Sequence, residues 1–390
     1  MSSAHLEESP VGELVRIDVP DPRTGELIRH AAFVPKPLPS TLSLSGRTHA
    51  LISEASLELG RLDAATARLP NPRLVVRPTM RTEAVSTSAI EGTHAALEDV
   101  LEAEATGAAS SDADVREVRN FIRAGEHGFE HLRSRPLSRA LLDELQRTLV
   151  SGTRGDLGDA GSVRQRQVWI GDPTRPVTDA RFVPPPPGPD LEAGLQQLVD
   201  WVRRAPDDIP MLARVALAHY QFEALHPYSD GNGRIGRLFM LLQLTSEGAL
   251  RHPTLSISPW LEQRRDDYVD GLLRVSQTGA FDPWVSFLAR AVRDQSRDGV
   301  RRTEQLLDLR DAFAARVRGA GSRGVAVAIA EDLVGFPALT ARQAAERHGV
   351  SYQAANSAID QLQRLGLLRE ATGRTYARVF IAPEVVEVLR

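Results

Sequence analysis

The 390-residue sequence contains no cysteine, which removes disulfides and thiol chemistry and fits a reducing compartment. It has no apolar run long enough to span a bilayer, and residues 1–10 lack the apolar centre of a signal peptide. The formal net charge of −4 gives no global basic signature for nucleic acid, which leaves only a local patch for that purpose. These absences together predict a cytoplasmic chain with no membrane partner. What is present is ordinary for a globular protein: 42% hydrophobic and 25% charged residues, over a length that predicts two or three domains and a substantial core.

Chemistry is concentrated in one stretch, His226 to Arg237, which reads HPYSDGNGRIGR. Gly231-Asn232-Gly233 allows backbone conformations closed to residues with a Cβ, so successive N–H groups can turn inward as an anion nest. Apolar spacing resumes at Ile235, Leu238, Phe239, Leu241 and Leu242. The nest therefore falls at a helix N-terminus, where orphan donors and the helix dipole both favour phosphate. Arg234 and Arg237 offer planar bidentate contacts to phosphate oxygens. Asp230 is a hard oxygen ligand of the kind Mg²⁺ takes when it also binds substrate phosphates. His226, halted by Pro227, can accept a proton from a hydroxyl near neutral pH. Each residue alone reads as a turn or a cap; the twelve together form a catalytic inventory.

The stretch resembles the Fic (Fido) family motif, HxFx(D/E)GNGRxxR, which lies on a loop between two helices of an all-helical core. The resemblance implies a general base at His226, the Mg²⁺ ligand at Asp230, and an anion hole at Gly231, Asn232 and Gly233. It implies a phosphate ligand at Arg234 and an orienter of the γ-phosphate at Arg237, with Ile235 and Gly236 completing the nucleotide-binding run. Tyr228 departs from the usual Phe; it keeps the aromatic anchor and adds a hydroxyl that needs a partner if buried. Upstream, Thr87 to Gly92 reads TSAIEG and is similar to the family's (S/T)xxxE(G/N) inhibitory motif. By that resemblance Glu91 pairs with Arg237, a planar charge-assisted contact that keeps the γ-phosphate out of its productive place. Downstream, Arg265 and Tyr268 match part of an RxxYY element that contacts nucleotide, with Val269 in place of the second Tyr.

In chain order, Pro20, Pro22, Pro35, Pro37 and Pro39 predict irregular chain up to about residue 45, with Ala32-Phe33-Val34-Pro35 lying across a domain surface. A helix is expected from Thr48 to Arg68, ended by Asn71-Pro72. Two more are expected between Asp112 and Val150, the second capped by Ser138. Ser151 to Asp190 is Gly- and Pro-rich and too long for a connector. Within it, 167–171 and 180–183 can pair as a hairpin, which in Fic proteins is a flap that aligns a target segment by strand addition. Helices from Asp190 to Arg204 and Pro210 to Leu225 lead into the motif. His219, two turns before His226, has no companions at ligand spacing and reads as a core histidine. Helices at 262–275 and 282–318 close the core.

Beyond a Gly319–Ser322 linker, Thr340 to Arg364 holds two short helices joined by HGVS, and Arg369 to Ile381 alternates around Gly373. This resembles a winged helix-turn-helix. Tyr352, Gln353, Asn356, Arg374 and Arg378 would face DNA, against the alternative of a partner-docking module.

The expected fold is mainly α: an all-helical Fic/Fido core with a short β-hairpin flap and a small C-terminal winged-helix domain. The expected division is 1–105 with the inhibitory helix, 106–300 as catalytic core, 301–322 as extension and linker, and 323–390 as the winged helix. The implied activity is transfer of AMP from ATP, with Mg²⁺, to a Ser, Thr or Tyr hydroxyl of a target protein or of the chain itself, restrained by Glu91. Removal of AMP from a protein, use of another nucleotide donor, or a DNA-binding regulator with a silent core are the alternatives. A homodimer and DNA at the C-terminal domain are the further partners this reading admits.

Overall fold

The structure is a computed structural model that describes residues 6–67, 69, 71–107, 112–172, 174–373 and 376–389. In chain order the elements are β1 (Gly12–Pro20), β2 (Leu27–Pro35), α1 (Gly46–Ala67), α2 (Arg73–Ile90), α3 (Leu97–Thr106), α4 (Ala113–Leu132) and α5 (Arg139–Val150). There follow α6 (Pro189–Arg204), α7 (Met211–Leu225), α8 (Asn232–Ser246), α9 (Ser258–Glu262), α10 (Arg265–Thr278) and α11 (Phe281–Gly319). The chain ends in α12 (Val325–Asp332), β3 (Ala338–Leu339), α13 (Ala341–His348), α14 (Tyr352–Arg364), β4 (Arg369–Glu370), β5 (Phe380–Ile381) and α15 (Pro383–Leu389). The fold is mainly helical, as the periodicity implies. It divides into two compact units, one of Met1–Leu57, Arg123–Ala249 and Trp260–Asp294, the other of Glu58–Ile122, Leu250–Pro259 and Gln295–Arg390.

In the first unit α7 and α8 are buried almost all round, the signature of central helices rather than amphipathic surface ones. They approach closely because Gly236 has no Cβ; one placed there would meet Glu223 Oε1 at 2.4 Å and Phe222 Cδ1 at 3.0 Å. Ser138 caps α5 as expected, its hydroxyl accepting the Leu141 N–H. The stretch 262–275 is broken rather than continuous: α9 stops at Glu262, and Arg264 leaves helical geometry with its guanidinium 4.2 Å from the Trp260 ring centroid.

The expectation of irregular chain before residue 45 is overturned. β1 and β2 form a nine-pair antiparallel hairpin from Gly12↔Pro35 to Pro20↔Leu27. Pro20 and Pro35 stand at strand ends, where a missing N–H costs the ladder little. The turn between them is closed by hydrogen bonds between Asp21 and Glu26 and between Gly25 and Asp21, both 2.8 Å. Nor does Ala32-Phe33 lie on a surface, since both residues are fully buried. The Phe33 ring fills the space where a Gly12 Cβ would sit, its N–H donates to Val183 O at 2.8 Å, and its ring lies 5.7 Å from Phe182. Val19, Ala32, Val177 and Val183 share one cluster, so the hairpin backs the 167–183 segment. Among its described residues that segment pairs through the bridge Ile170↔Phe182.

In the second unit the C-terminal elements pack around one core with α2 and the end of α11: Leu74, Phe313, Val317, Ile359, Leu362 and Phe380 belong to a single cluster. Strands β3, β5 and β4 form a small antiparallel sheet in that order. Thr340 and Ser351 cap α13 and α14 through their side chains, so the two-helix reading of 340–364 holds. Of the residues expected to face DNA, Tyr352 is 61% exposed, Asn356 donates to Asp360 at 3.3 Å, and Arg378 lies 3.8 Å from Glu370. Gln353 is exposed, and Arg374 lies outside the described residues.

Phe33→Ala should cost about 3–5 kcal/mol of stability, the range for emptying a buried aromatic site. Urea unfolding of the variant checks this, and an unchanged midpoint would mean that the hairpin is not part of the core.

Candidate active site

The residues from His226 to Arg237 join α7 to α8, all within the first unit. His226 closes α7 in the left-handed region, φ 47° and ψ 59°, with its N–H on Phe222 O at 2.9 Å. A β-carbon makes that conformation costly, so it must be held from outside. Arg164 does this: its Nε donates to His226 O at 2.9 Å, and its main-chain N–H donates to Pro227 O at 3.0 Å.

The loop is closed on itself by Asn232. Its Oδ1 accepts the Tyr228 N–H at 2.8 Å and its Nδ2 donates to Tyr228 O at 2.7 Å, so the side chain expected in the anion hole is engaged with the loop's own backbone. Gly231 precedes α8 with φ 81°, and a Cβ there would strike Leu149 Cδ2 at 2.8 Å. The first helical hydrogen bond is from Ile235 N–H to Gly231 O, so the N–H groups of Asn232, Gly233 and Arg234 precede the ladder and mark the anion-attracting end of α8. The Tyr228 hydroxyl has the partner its burial demands, donating to Asp143 at 2.9 Å. Burial, then the neighbouring Asp143 charge, holds the phenol well above its usual pKa, and burial raises the Asp143 carboxyl despite that hydrogen bond.

Two arginines concentrate positive charge here. Arg234 is 4% exposed and 3.1 Å from Asp230 Oδ1; Arg237, one turn on, is also buried. Ile235 is fully buried in the core and Gly236 sits at the α7–α8 crossing, so neither presents a side chain to a ligand. Tyr268 is likewise in the core, its hydroxyl 2.7 Å from His219 Nε2 and its ring stacked 5.8 Å from that imidazole. Glu91 belongs to the second unit, where it is the exposed C-cap of α2 ahead of Gly92 at φ 83°.

Loop residues that periodicity could not single out fasten the motif. The Gln146 amide donates to Asp230 O at 3.1 Å and accepts the Gly161 N–H, while Ser229 donates to Asp159. Arg164 is fully buried, which depresses its pKa to about 10 and still leaves it charged at neutral pH. Nothing in the spacing of SVRQRQVWIG marks which arginine turns inward.

Among the described residues no three His, Cys, Asp or Glu side chains group as metal ligands. Mg²⁺, the ion the motif implies, keeps waters and leans on one or two carboxylates plus substrate phosphates. Asp230 fits the part: its side chain is 37% exposed, and its Oδ2 faces the bare Cα of Gly155, where a Cβ would come within 2.4 Å.

Residues 49–130 match the Fic/DOC family N-terminal model and residues 136–244 the Fic/DOC family model. The chain carries a Fic/DOC domain. The matched region includes every residue from His226 to Arg237 and stops short of Tyr268. Curated relatives include the protein adenylyltransferase Fic of Drosophila willistoni, 33% identical over 132 residues, and the protein adenylyltransferase fic-1 of Caenorhabditis elegans, 32% identical over 133 residues. Each alignment takes in 34% of this chain, and the chain spans only 23% of either relative's length. A Fic family protein from Desulfovibrio desulfuricans G20 shares the fold, with a TM-score of 0.56, 21% identity, and coverage of 88% of this chain and 98% of that one.

His219 makes the Fic/DOC core sensitive to acid. Its Nδ1 faces Gly236 O at 3.1 Å, an acceptor only, so Nδ1 carries the proton and Nε2 accepts from Tyr268. Burial, then the nearby Arg237 charge, lowers its pKa from 6.5 to about 3. The unfolded chain binds this proton near pH 6.5 and the folded chain does not, so stability falls as pH drops from 6.5 towards 3, by up to about 1.4 kcal/mol per pH unit. His219→Gln should flatten that slope in urea unfolding measured between pH 7 and pH 4; parallel profiles for the two proteins would contradict the assignment.

Proposed function

We propose that this Fic/DOC chain is a protein adenylyltransferase that moves AMP from ATP to a Ser, Thr or Tyr hydroxyl of a target protein or of itself. The observation that carries the reading is the preset junction of α7 and α8. A histidine is held in the left-handed region at one end, and a helix N-terminus flanked by Arg234 and Arg237 lies at the other. The names of the curated relatives point the same way.

In this reading the His226 imidazole takes the proton of the acceptor hydroxyl as its oxygen bonds to the α-phosphorus. The bond from the α-phosphorus to the bridging oxygen breaks, and pyrophosphate leaves with the electron pair. N–H groups at the start of α8 and the two guanidiniums are aimed where negative charge grows, so little reorganisation is needed at the moment of reaction. Mg²⁺ held by Asp230 would neutralise phosphate charge. The segment 167–183, backed by the β1–β2 hairpin, offers main-chain groups to align a target strand.

Glu91 is the inhibitory residue of this scheme. That assignment is carried by the resemblance of Thr87 to Gly92 to the family's inhibitory motif, and Arg237 is the partner the motif assigns.

The test uses ATP labelled at either the α- or the γ-phosphate, with Mg²⁺, on wild type, Glu91→Gly and Glu91→Gly/His226→Ala. Protein label from α only, stronger in Glu91→Gly and reduced by about 100-fold or more when His226 is also replaced, is the expected result. Label from γ would identify another transfer, and equal labelling of wild type and Glu91→Gly would remove the inhibitory role.

A further inference from the structure

We propose that Arg164 is a positioning residue that locks the catalytic histidine and the flap into one register. The inference rests on His226 being the base. The fully buried Arg164 guanidinium donates to three main-chain carbonyls: His226 O at 2.9 Å, Arg166 O at 3.2 Å and Pro185 O at 2.6 Å. Arg166 and Pro185 are the two stems of the segment closed by the Ile170↔Phe182 bridge. One rigid fork therefore fixes the direction in which His226 leaves α7 and the place from which the flap starts, a set of contacts that a lysine ammonium cannot reproduce. Transfer needs the hydroxyl presented on the flap and the imidazole to meet within hydrogen-bond reach, and a misplacement of about 1 Å costs on the order of 100-fold in rate. Nucleotide contacts at the start of α8 do not run through Arg164.

Arg164→Lys and Arg164→Ala, made in the Glu91→Gly background, should bind Mg·ATP in calorimetry within about twofold of their parent and label at a rate lower by about 100-fold. Free guanidinium should restore part of the rate to Arg164→Ala. Rate and nucleotide affinity falling together, or an unchanged rate in a folded variant, would overturn the proposal. If neither variant folds, hydrogen exchange on the parent decides: Ile170, Arg181 and His226 amides opening together supports the lock, and independent opening contradicts it. Undiminished label in Glu91→Gly/His226→Ala would instead remove the base itself, whatever the Arg164 variants do.

The second unit independently carries another inference, which rests on Glu91 being inhibitory. We infer that the C-terminal module governs the inhibitory helix, because the two are one body. Arg81 of α2, 3% exposed, donates to Glu104 of α3 at 2.6 and 2.9 Å and to Gly335 O at 3.0 Å. Gln343 of α13 donates to Glu104 O at 3.2 Å, and Leu101 and Ala105 of α3 share a cluster with Val379, Ile381 and Val386. Arg81 precedes Glu91 by less than three turns on one helix, so a shift of the module moves the carboxylate.

Glu104→Gln, and the milder Gln343→Ala, should raise self-labelling several-fold and add nothing in the Glu91→Gly background. No increase in either variant while Glu91→Gly is activated, or an increase that adds to it, would overturn the clamp. Failure of Glu91→Gly to activate would overturn the inhibitory reading and the clamp together.

Discussion

The site depends on the close crossing of α7 and α8. Because Gly236 is bare, Phe222 and Glu223 lie against the α8 backbone, and His219 reaches across to the Gly236 carbonyl. With the helices so close, only residues 226–231 are available to reverse the chain, and both ends of that loop take left-handed geometry, at His226 and at Gly231. Asn232 then closes the turn with two hydrogen bonds to Tyr228. The conformational cost of the loop is met when the core folds, so the N–H groups at the start of α8 and the histidine on the other side of the turn are set before any ligand arrives, which is what the proposed transfer needs.

Much of this was legible because the motif states its own geometry. GNG followed by renewed apolar spacing marks a helix N-terminus, and the start of α8 at Asn232 follows from it. The hydroxyl of Tyr228 was bound to need a partner, yet nothing in sequence could name Asp143, which is 85 residues away. The same holds for Arg164, which reads as one of several loop arginines until burial distinguishes it. The N-terminal hairpin is not legible because Pro20, Pro22 and Pro35 argue for irregular chain, although Pro20 and Pro35 only end the nine-residue strands β1 and β2. Tyr268 shows the converse: a short motif placed it at the nucleotide, while its hydroxyl is engaged with a buried imidazole.

The two units divide the labour. The first holds residues 226–237 and the 167–183 segment, with the β1–β2 hairpin as a backing that gives that segment a buried face. The second carries Glu91 on a helix built into the core of the C-terminal module. In the proposed scheme restraint and chemistry belong to different cores of one chain.

The most direct test of the central claim is a crystal structure of the Glu91→Gly variant with Mg²⁺ and a non-hydrolysable ATP analogue. The expected result is phosphates on the N–H groups at the start of α8 and on Arg234 and Arg237, the residue 226–231 loop unchanged, and the His226 imidazole facing the α-phosphorus. A nucleotide bound elsewhere, or a loop that must unwind from Asn232 to admit it, would contradict a preset phosphate site.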